Sequence, residues 1–153
     1  MKLEFKYISP YLPYNLKWSL QRLKTFTMTG LTKETLYTNE GTVLTWPKHH
    51  ELPQALFPIL LPLSYLTKEI EVNGKKFIPI DEIKKLMLID FDYVDKNGII
   101  SFQYSYKNND IIAINNEICY ECPIGFYNAL LKWNFDINNL IGKNLAIDLN
   151  TLK

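Results

Sequence analysis

Three features of the sequence predict an α+β fold. A hairpin signal, Asn73-Gly74, lies between Ile70 to Val72 and Lys75 to Ile78. A second pair of β-rich runs, Ile99 to Tyr106 and Ile111 to Ile118, is joined through the polar Lys107, Asn108, Asn109 and Asp110. Proline-opened helical stripes follow at Pro79 and Pro123. Two antiparallel β units with helices interleaved suit this class better than a parallel α/β sheet. The expected architecture is a single globular domain over 1–153, an antiparallel sheet of hairpins with two main helices packed on it.

In chain order, Leu3 to Ile8 reads as a short strand that Pro10 and Pro13 end. Tyr14, Leu16, Trp18 and Leu20 then alternate on one face, and Phe26, Met28 and Gly30 do the same with Thr25, Thr27 and Thr29 between them. Threonine is comfortable in strands, so the first third is predicted to be β. From Pro47 to Pro62 four prolines each remove a backbone donor, which predicts an ordered, buried connection without long regular structure.

Ser64 is expected to cap one short turn ending near Lys68. In the helix opened by Pro79, Ile80, Ile83, Leu86 and Met87 form one apolar stripe, and Asp81 and Lys85 are placed to pair one turn apart. In the helix after Pro123, Phe126, Leu130 and Trp133 share a face that Tyr127 and Leu131 widen. Asp136 is expected to cap a further turn that Gly142 closes.

With 47% hydrophobic and 22% charged residues, the chain has the composition of a globular protein able to bury a sizeable core. The longest apolar run, Leu56 to Leu63, contains Pro58 and Pro62 and falls far short of the roughly 20 residues a bilayer span needs. Charge alternates with bulk from Met1 to Lys6, where a signal peptide would be continuously apolar, so the expected location is the cytosol. Six basic residues from Lys2 to Lys33 face Glu4 alone, a surplus of five; because the whole chain carries +1, the remainder carries −4. That basic arm, through Lys17, Arg22, Lys24 and Lys33, is a candidate for nucleic-acid contact, although Arg22 is its one arginine.

Residues of catalytic type are present but incomplete as sites. Cys119-Tyr120-Glu121-Cys122 has the spacing of a redox pair or half a zinc site, yet no second cysteine pair exists. His49-His50-Glu51 reads as a proline-flanked surface loop, since adjacent imidazoles in an extended segment point to opposite faces. Asp90, Asp92 and Asp95 form the best carboxylate cluster, but placing Gly98 at the glycine position of a calcium loop puts Tyr93 and Tyr104 where carboxylates are required. The plainer reading makes Asp95, Asn97 and Gly98 a turn. Neither a glycine-rich phosphate loop nor a nucleophile elbow is present. The sequence therefore points to no catalytic residue, no cofactor and no metal, and to no membrane association.

Three stretches resemble small uncharacterised proteins encoded by phages and prophages of Bacteroidota. Ser9-Pro10-Tyr11-Leu12-Pro13-Tyr14-Asn15-Leu16-Lys17 is similar to their Ala-Pro-Tyr-Leu-Pro-Tyr-Gly-Leu-Lys opening. Pro58 to Pro79 resembles their middle segment, with Leu61 and Tyr65 in place of Arg and Asp. Leu131-Lys132-Trp133-Asn134-Phe135-Asp136 and Leu145 to Thr151 resemble their ending, with Asn134 in place of the usual His. The resemblance implies phage origin, action in the bacterial host cytosol and an accessory role, and it brings no known activity. The leading expectation is a non-enzymatic protein that binds a host or phage protein, such as a defence ribonucleoprotein, as an anti-CRISPR-like inhibitor. Tyr11, Tyr14 and Trp18 are its candidate contacts, residues that serve equally well in a core. The alternatives are a nucleic-acid-binding accessory protein using the basic arm and a structural or packaging component of the virion.

Overall fold

A computed structural model describes residues 2–32, 35–41, 43–45, 55–87, 91–96, 99–104, 111–115, 117–118 and 124–152; residues 87 and 91–118 within these ranges are described by their backbone. The fold is α+β, with helices and a dominantly antiparallel set of strands. Backbone contacts group the chain into two compact units, Met1–Leu61 with Leu140–Lys153, and Pro62–Asn139.

The first unit opens with a correction. Phe5–Ile8 is a short helix, α1, and Ser9–Tyr14 continues it as a tighter 3-10 turn, where a strand followed by a break was expected. The prolines that exclude a strand suit such turns, since Pro10 falls at the start of the 3-10 segment and its fixed φ is already helical. Ile8 and Tyr11, three residues apart and so on one side of a three-residue turn, are both fully buried. Asn15, in the left-handed conformation at φ 53°, ends the segment.

The expected strands follow as β1 (Lys17–Leu20) and β2 (Lys24–Leu31), paired antiparallel with Trp18 opposite Phe26. Phe26 and Met28 are buried while Thr25 and Thr29 are exposed, as the alternation predicts. β3 (Thr35–Thr38) and β4 (Val43–Thr45) extend the sheet. The β2–β3 register shifts between Met28 and Gly30, and a Cβ at Gly30 would stand 3.3 Å from Cδ2 of Tyr37. A side chain at Gly30 would require the ring to give by a few tenths of an ångström.

β5 (Leu56–Leu60) is a short strand within the stretch where the prolines argued against long regular structure. It pairs with β1, Pro58 opposite Trp18, and with β12 (Ile147–Asp148), which runs parallel to it. Pairing with β12 begins at Ile59, so the strand takes its second neighbour only after the residue that lacks a donor. The complete order is β12-β5-β1-β2-β3-β4. The turn before β12 closes at Asn144, not Gly142: Asn144 holds φ 58° and the Leu145 N–H donates to the Leu140 carbonyl at 2.8 Å. After β12, the Asp148 carboxylate accepts from the Asn150 N–H at 2.9 Å and caps a 3-10 turn over Leu149–Thr151.

In the second unit a 3-10 turn at Leu63–Tyr65 follows Pro62; Ser64 is exposed and no side chain caps the turn. β6 (Ile70–Val72) and β7 (Lys75–Phe77) form the expected hairpin, with Asn73 and Gly74 both at positive φ, the geometry that a type I′ turn requires. α2 (Pro79–Met87) buries Ile80 and Ile83 but leaves Leu86 67% exposed, which shortens the expected stripe by a turn. Lys85 bonds Glu82 at 3.0 Å, not Asp81.

β8 (Phe91–Lys96), β9 (Ile99–Tyr104), β10 (Ile111–Asn115) and β11 (Glu117–Ile118) form one antiparallel sheet in the order β11-β10-β9-β8. The expected hairpin of 99–106 with 111–118 is present as β9 and β10, except that the second run divides into two strands that pair with each other. Asp95 belongs to β8, not to a turn.

α3 (Ile124–Lys132) buries Phe126, Leu130 and Leu131, and Trp133 just beyond it, as the stripe predicts; Tyr127 is half-buried and Ala129, outside the stripe, is buried as well. The helix ends in a Schellman motif. Asn134 is left-handed at φ 57°, the Phe135 N–H reaches the Leu130 carbonyl and the Asn134 N–H the Leu131 carbonyl, each at 2.9 Å.

Candidate functional site

Among the described residues of the first unit, the β1–β2 connection is where two consecutive side-chain-bearing residues are left-handed. Leu20 and Lys24 face each other across the ladder, leaving Gln21, Arg22 and Leu23 to turn the chain. The Leu23 N–H donates to the Leu20 carbonyl at 3.0 Å, and both central residues are left-handed, Gln21 at φ 53° and Arg22 at φ 60°. This is the type I′ geometry that Asn-Gly adopts easily, built here from two residues with full side chains. Left-handed backbone costs a side-chain-bearing residue about 1–2 kcal/mol.

Local contacts hold the tip in place. The Gln21 N–H donates to the Ala55 carbonyl at 2.7 Å, which ties it to the chain entering β5. The Arg22 guanidinium lies over the Phe57 ring, 5.1 Å from its centroid. The Lys24 ammonium sits 2.6 Å from the Glu40 carboxylate in the turn after β3. Between Arg22 and Lys24, Leu23 is 86% exposed, ahead of Val43 and Tyr37 on the outer strands of the same sheet.

The residues singled out from sequence divide sharply. Tyr11 and Trp18 have no exposed surface, which corrects their reading as partner contacts and makes them core residues. Tyr14 is half-buried at the end of the 3-10 turn. Lys17 is exposed on β1 opposite Thr27, away from the Leu20–Lys24 end of the hairpin. Arg22 and Lys24 flank the tip, and Lys33 lies outside the described residues. So do His49, His50, Glu51, Asp90, Cys119 and Cys122. Among the described residues no group of three His, Cys, Asp or Glu is placed to hold a metal, and no helix is long and apolar enough to cross a membrane.

Sequence reasoning missed Leu23 and Phe57. The signal for Leu23 was present: the faces of Trp18 and Phe26 must meet across the ladder, so a leucine in the interval between Leu20 and Lys24 has no inward register. Two buried polar atoms lie on β1, the strand that leads into this site. Among the described residues the Trp18 indole nitrogen and the Ser19 hydroxyl have no hydrogen-bond partner, a cost of roughly 1–3 kcal/mol for each group. Comparison of the chain with protein-family models, curated proteins and solved structures returns no match.

Proposed function

We propose that the protein is a non-enzymatic binding module that docks on a partner protein through the β1–β2 hairpin tip, with Leu23 as its apolar anchor. The observation that carries this reading is a leucine held almost wholly in water on a turn built from two left-handed, side-chain-bearing residues. Strain of that kind persists where surrounding structure enforces it, and it clusters at binding sites. Burying the leucine in a complex would return about 1.5–3 kcal/mol.

The wider context proposed is a phage-encoded accessory protein, acting in the cytosol of a bacterial host as an anti-CRISPR-like inhibitor of a nuclease complex. What supports it is the resemblance of the Ser9–Lys17, Pro58–Pro79 and Leu131–Thr151 stretches to phage and prophage proteins. The rival reading, phosphate tracking by the basic arm, is weakened because Lys24 is already paired with Glu40 and Lys17 stands at the far end of β1.

Affinity capture from phage-infected cells, with and without nuclease digestion, tests the proposal. A protein retained after digestion by the parent chain, and lost with Leu23→Asp, is the expected result. Capture that vanishes with the nucleic acid, or that is indifferent to Leu23→Asp, overturns it.

A further inference from the structure

Beside its leucine, the tip carries a cation that no acidic group among the described residues pairs with. Arg22 makes no hydrogen bond or ion pair among the described residues; its contact is the face of Phe57. Lys24, two positions on, is already paired with Glu40 at 2.6 Å. A guanidinium seated on a ring keeps its donors uncommitted while its long side chain is partly ordered, so a ligand that bonds it meets a smaller loss of rotamer entropy. Those donors form a planar fork that matches two oxygens of one carboxylate or phosphate.

Leu23 decides between the two anions. It is the next residue along the turn and 86% exposed, so a surface that reaches Arg22 must also receive an aliphatic side chain. A phosphate backbone supplies the anion and offers no apolar seat beside it. A protein surface supplies both, and arginine is over-represented among the residues that dominate such interfaces. We infer that the tip recognises a protein surface on which an Asp or Glu carboxylate borders an apolar pocket, Arg22 taking the carboxylate by a bidentate pair and Leu23 filling the pocket. This rests on the hairpin-docking reading and adds the chemistry of what is docked on. Phe57 is a positioning residue in this scheme: it touches no partner atom and holds the fork in place.

Random dodecapeptides displayed on yeast and selected against the full chain provide the probe, with fluorescein-labelled copies of the selected peptides titrated against variants by anisotropy. Recovered peptides should carry Asp or Glu next to a large apolar residue. Their Kd should rise about tenfold or more in Arg22→Gln and in Leu23→Ala, the loss expected of a charged bidentate bond and of a buried anchor. Phe57→Leu, which keeps both contact residues, should weaken binding less than Arg22→Gln and leave Leu23 dependence intact. Unchanged melting temperatures in all three variants establish that the fold is kept.

If Leu23→Ala weakens binding and Arg22→Gln does not, the carboxylate inference falls and the docking reading stands. Peptides indifferent to both residues, or a selection that recovers none, sink both. Labelled oligothymidylate bound tightly in an Arg22-dependent and Leu23-independent way would make phosphate the anion and overturn the inference.

Discussion

The rings of Phe77 and Trp133 meet with centroids 5.0 Å apart and planes inclined by 54°, joining the end of β7 to the C-terminal boundary of α3. Trp133 is buried there although it lies one residue past the helix, its N–H still bonded to the Ala129 carbonyl at 3.2 Å. Trp133→Ala should therefore destabilise the protein by about 3–5 kcal/mol, as loss of a large core aromatic does. A double-mutant cycle with Phe77→Ala should return a coupling of about 0.5–1.5 kcal/mol for the ring pair. Urea denaturation gives both; an unchanged midpoint in Trp133→Ala would place that side chain at the surface.

The end of α3 makes a separate prediction. Asn134 holds φ 57°, and its buried side-chain oxygen has no hydrogen-bond partner among the described residues. Glycine adopts the same backbone without a Cβ penalty and removes the orphaned acceptor, so Asn134→Gly should stabilise the protein by about 1 kcal/mol. Asn134→Ala should be less stable than Asn134→Gly by about 1–2 kcal/mol, the cost of a left-handed alanine. Equal melting temperatures for the two variants would remove the conformational argument.

These two sites also mark what the sequence could and could not convey. Period-two alternation over Phe26 and Met28, the Asn73-Gly74 turn and the Phe126–Leu130 stripe were legible because each repeats a local rule that the fold obeys. β12 was not, because two residues have no period and their partner, β5, is distant in sequence. β5 itself was hidden by Pro58, whose penalty depends on which neighbour the missing donor would have faced. Leu86 was misread because a stripe extrapolated to the last turn of a helix assumes that the neighbouring structure extends as far. The candidate site lay deeper still. Gln21-Arg22 does not advertise a type I′ turn, and the basic arm was assembled from charges close in sequence, of which the fold sets Lys17 at the far end of β1 from the tip and pairs Lys24 with Glu40.

The Glu82 carboxyl is held below the usual glutamate range by its hydrogen bond from Lys85, with Lys75 at 3.8 Å adding to the effect. A lowered native value means that the folded chain releases this proton more readily than the unfolded one. The resulting stabilisation is present in full above the unfolded value and is lost as pH falls through the native one. Parent and Glu82→Gln should differ slightly in urea midpoint at neutral pH and converge in acid. A gap that widened on acidification would reverse the sign of this linkage.

Strain at the hairpin tip can be relieved by design. Replacing Gln21-Arg22 with Asn-Gly provides the pair that type I′ geometry prefers, and the gain in native backbone exceeds the added freedom of glycine in the unfolded chain. The double variant should be more stable than the parent by about 1 kcal/mol while losing its binding through Arg22. The gain in stability reports the strain, and the loss of binding reports the missing Arg22 contact. If the variant were more stable and bound as well as the parent, the turn would have only a structural role.

The last prediction separates the two classes of partner by how binding responds to salt. For nucleic acid, each neutralised phosphate releases condensed counterion, so affinity falls steeply with ionic strength and loss of one contact lowers the log–log slope by about one unit. Arg22→Ala should show that change under the phosphate reading, and Lys24→Ala should show less, since Glu40 already holds its charge. Under the docking reading the energy concentrates in a buried anchor. Leu23→Ala should then cost about 2 kcal/mol, with a slope near that of the parent because no charge has been removed. Lys17→Ala, at the far end of β1, should leave affinity almost unchanged and alter the association rate at most. Titrations of the captured partner across a salt series, run with these four variants, decide the matter: a large Leu23 effect at constant slope supports the hairpin anchor, and a slope that drops with Arg22 while Leu23→Ala is silent assigns the tip to phosphate.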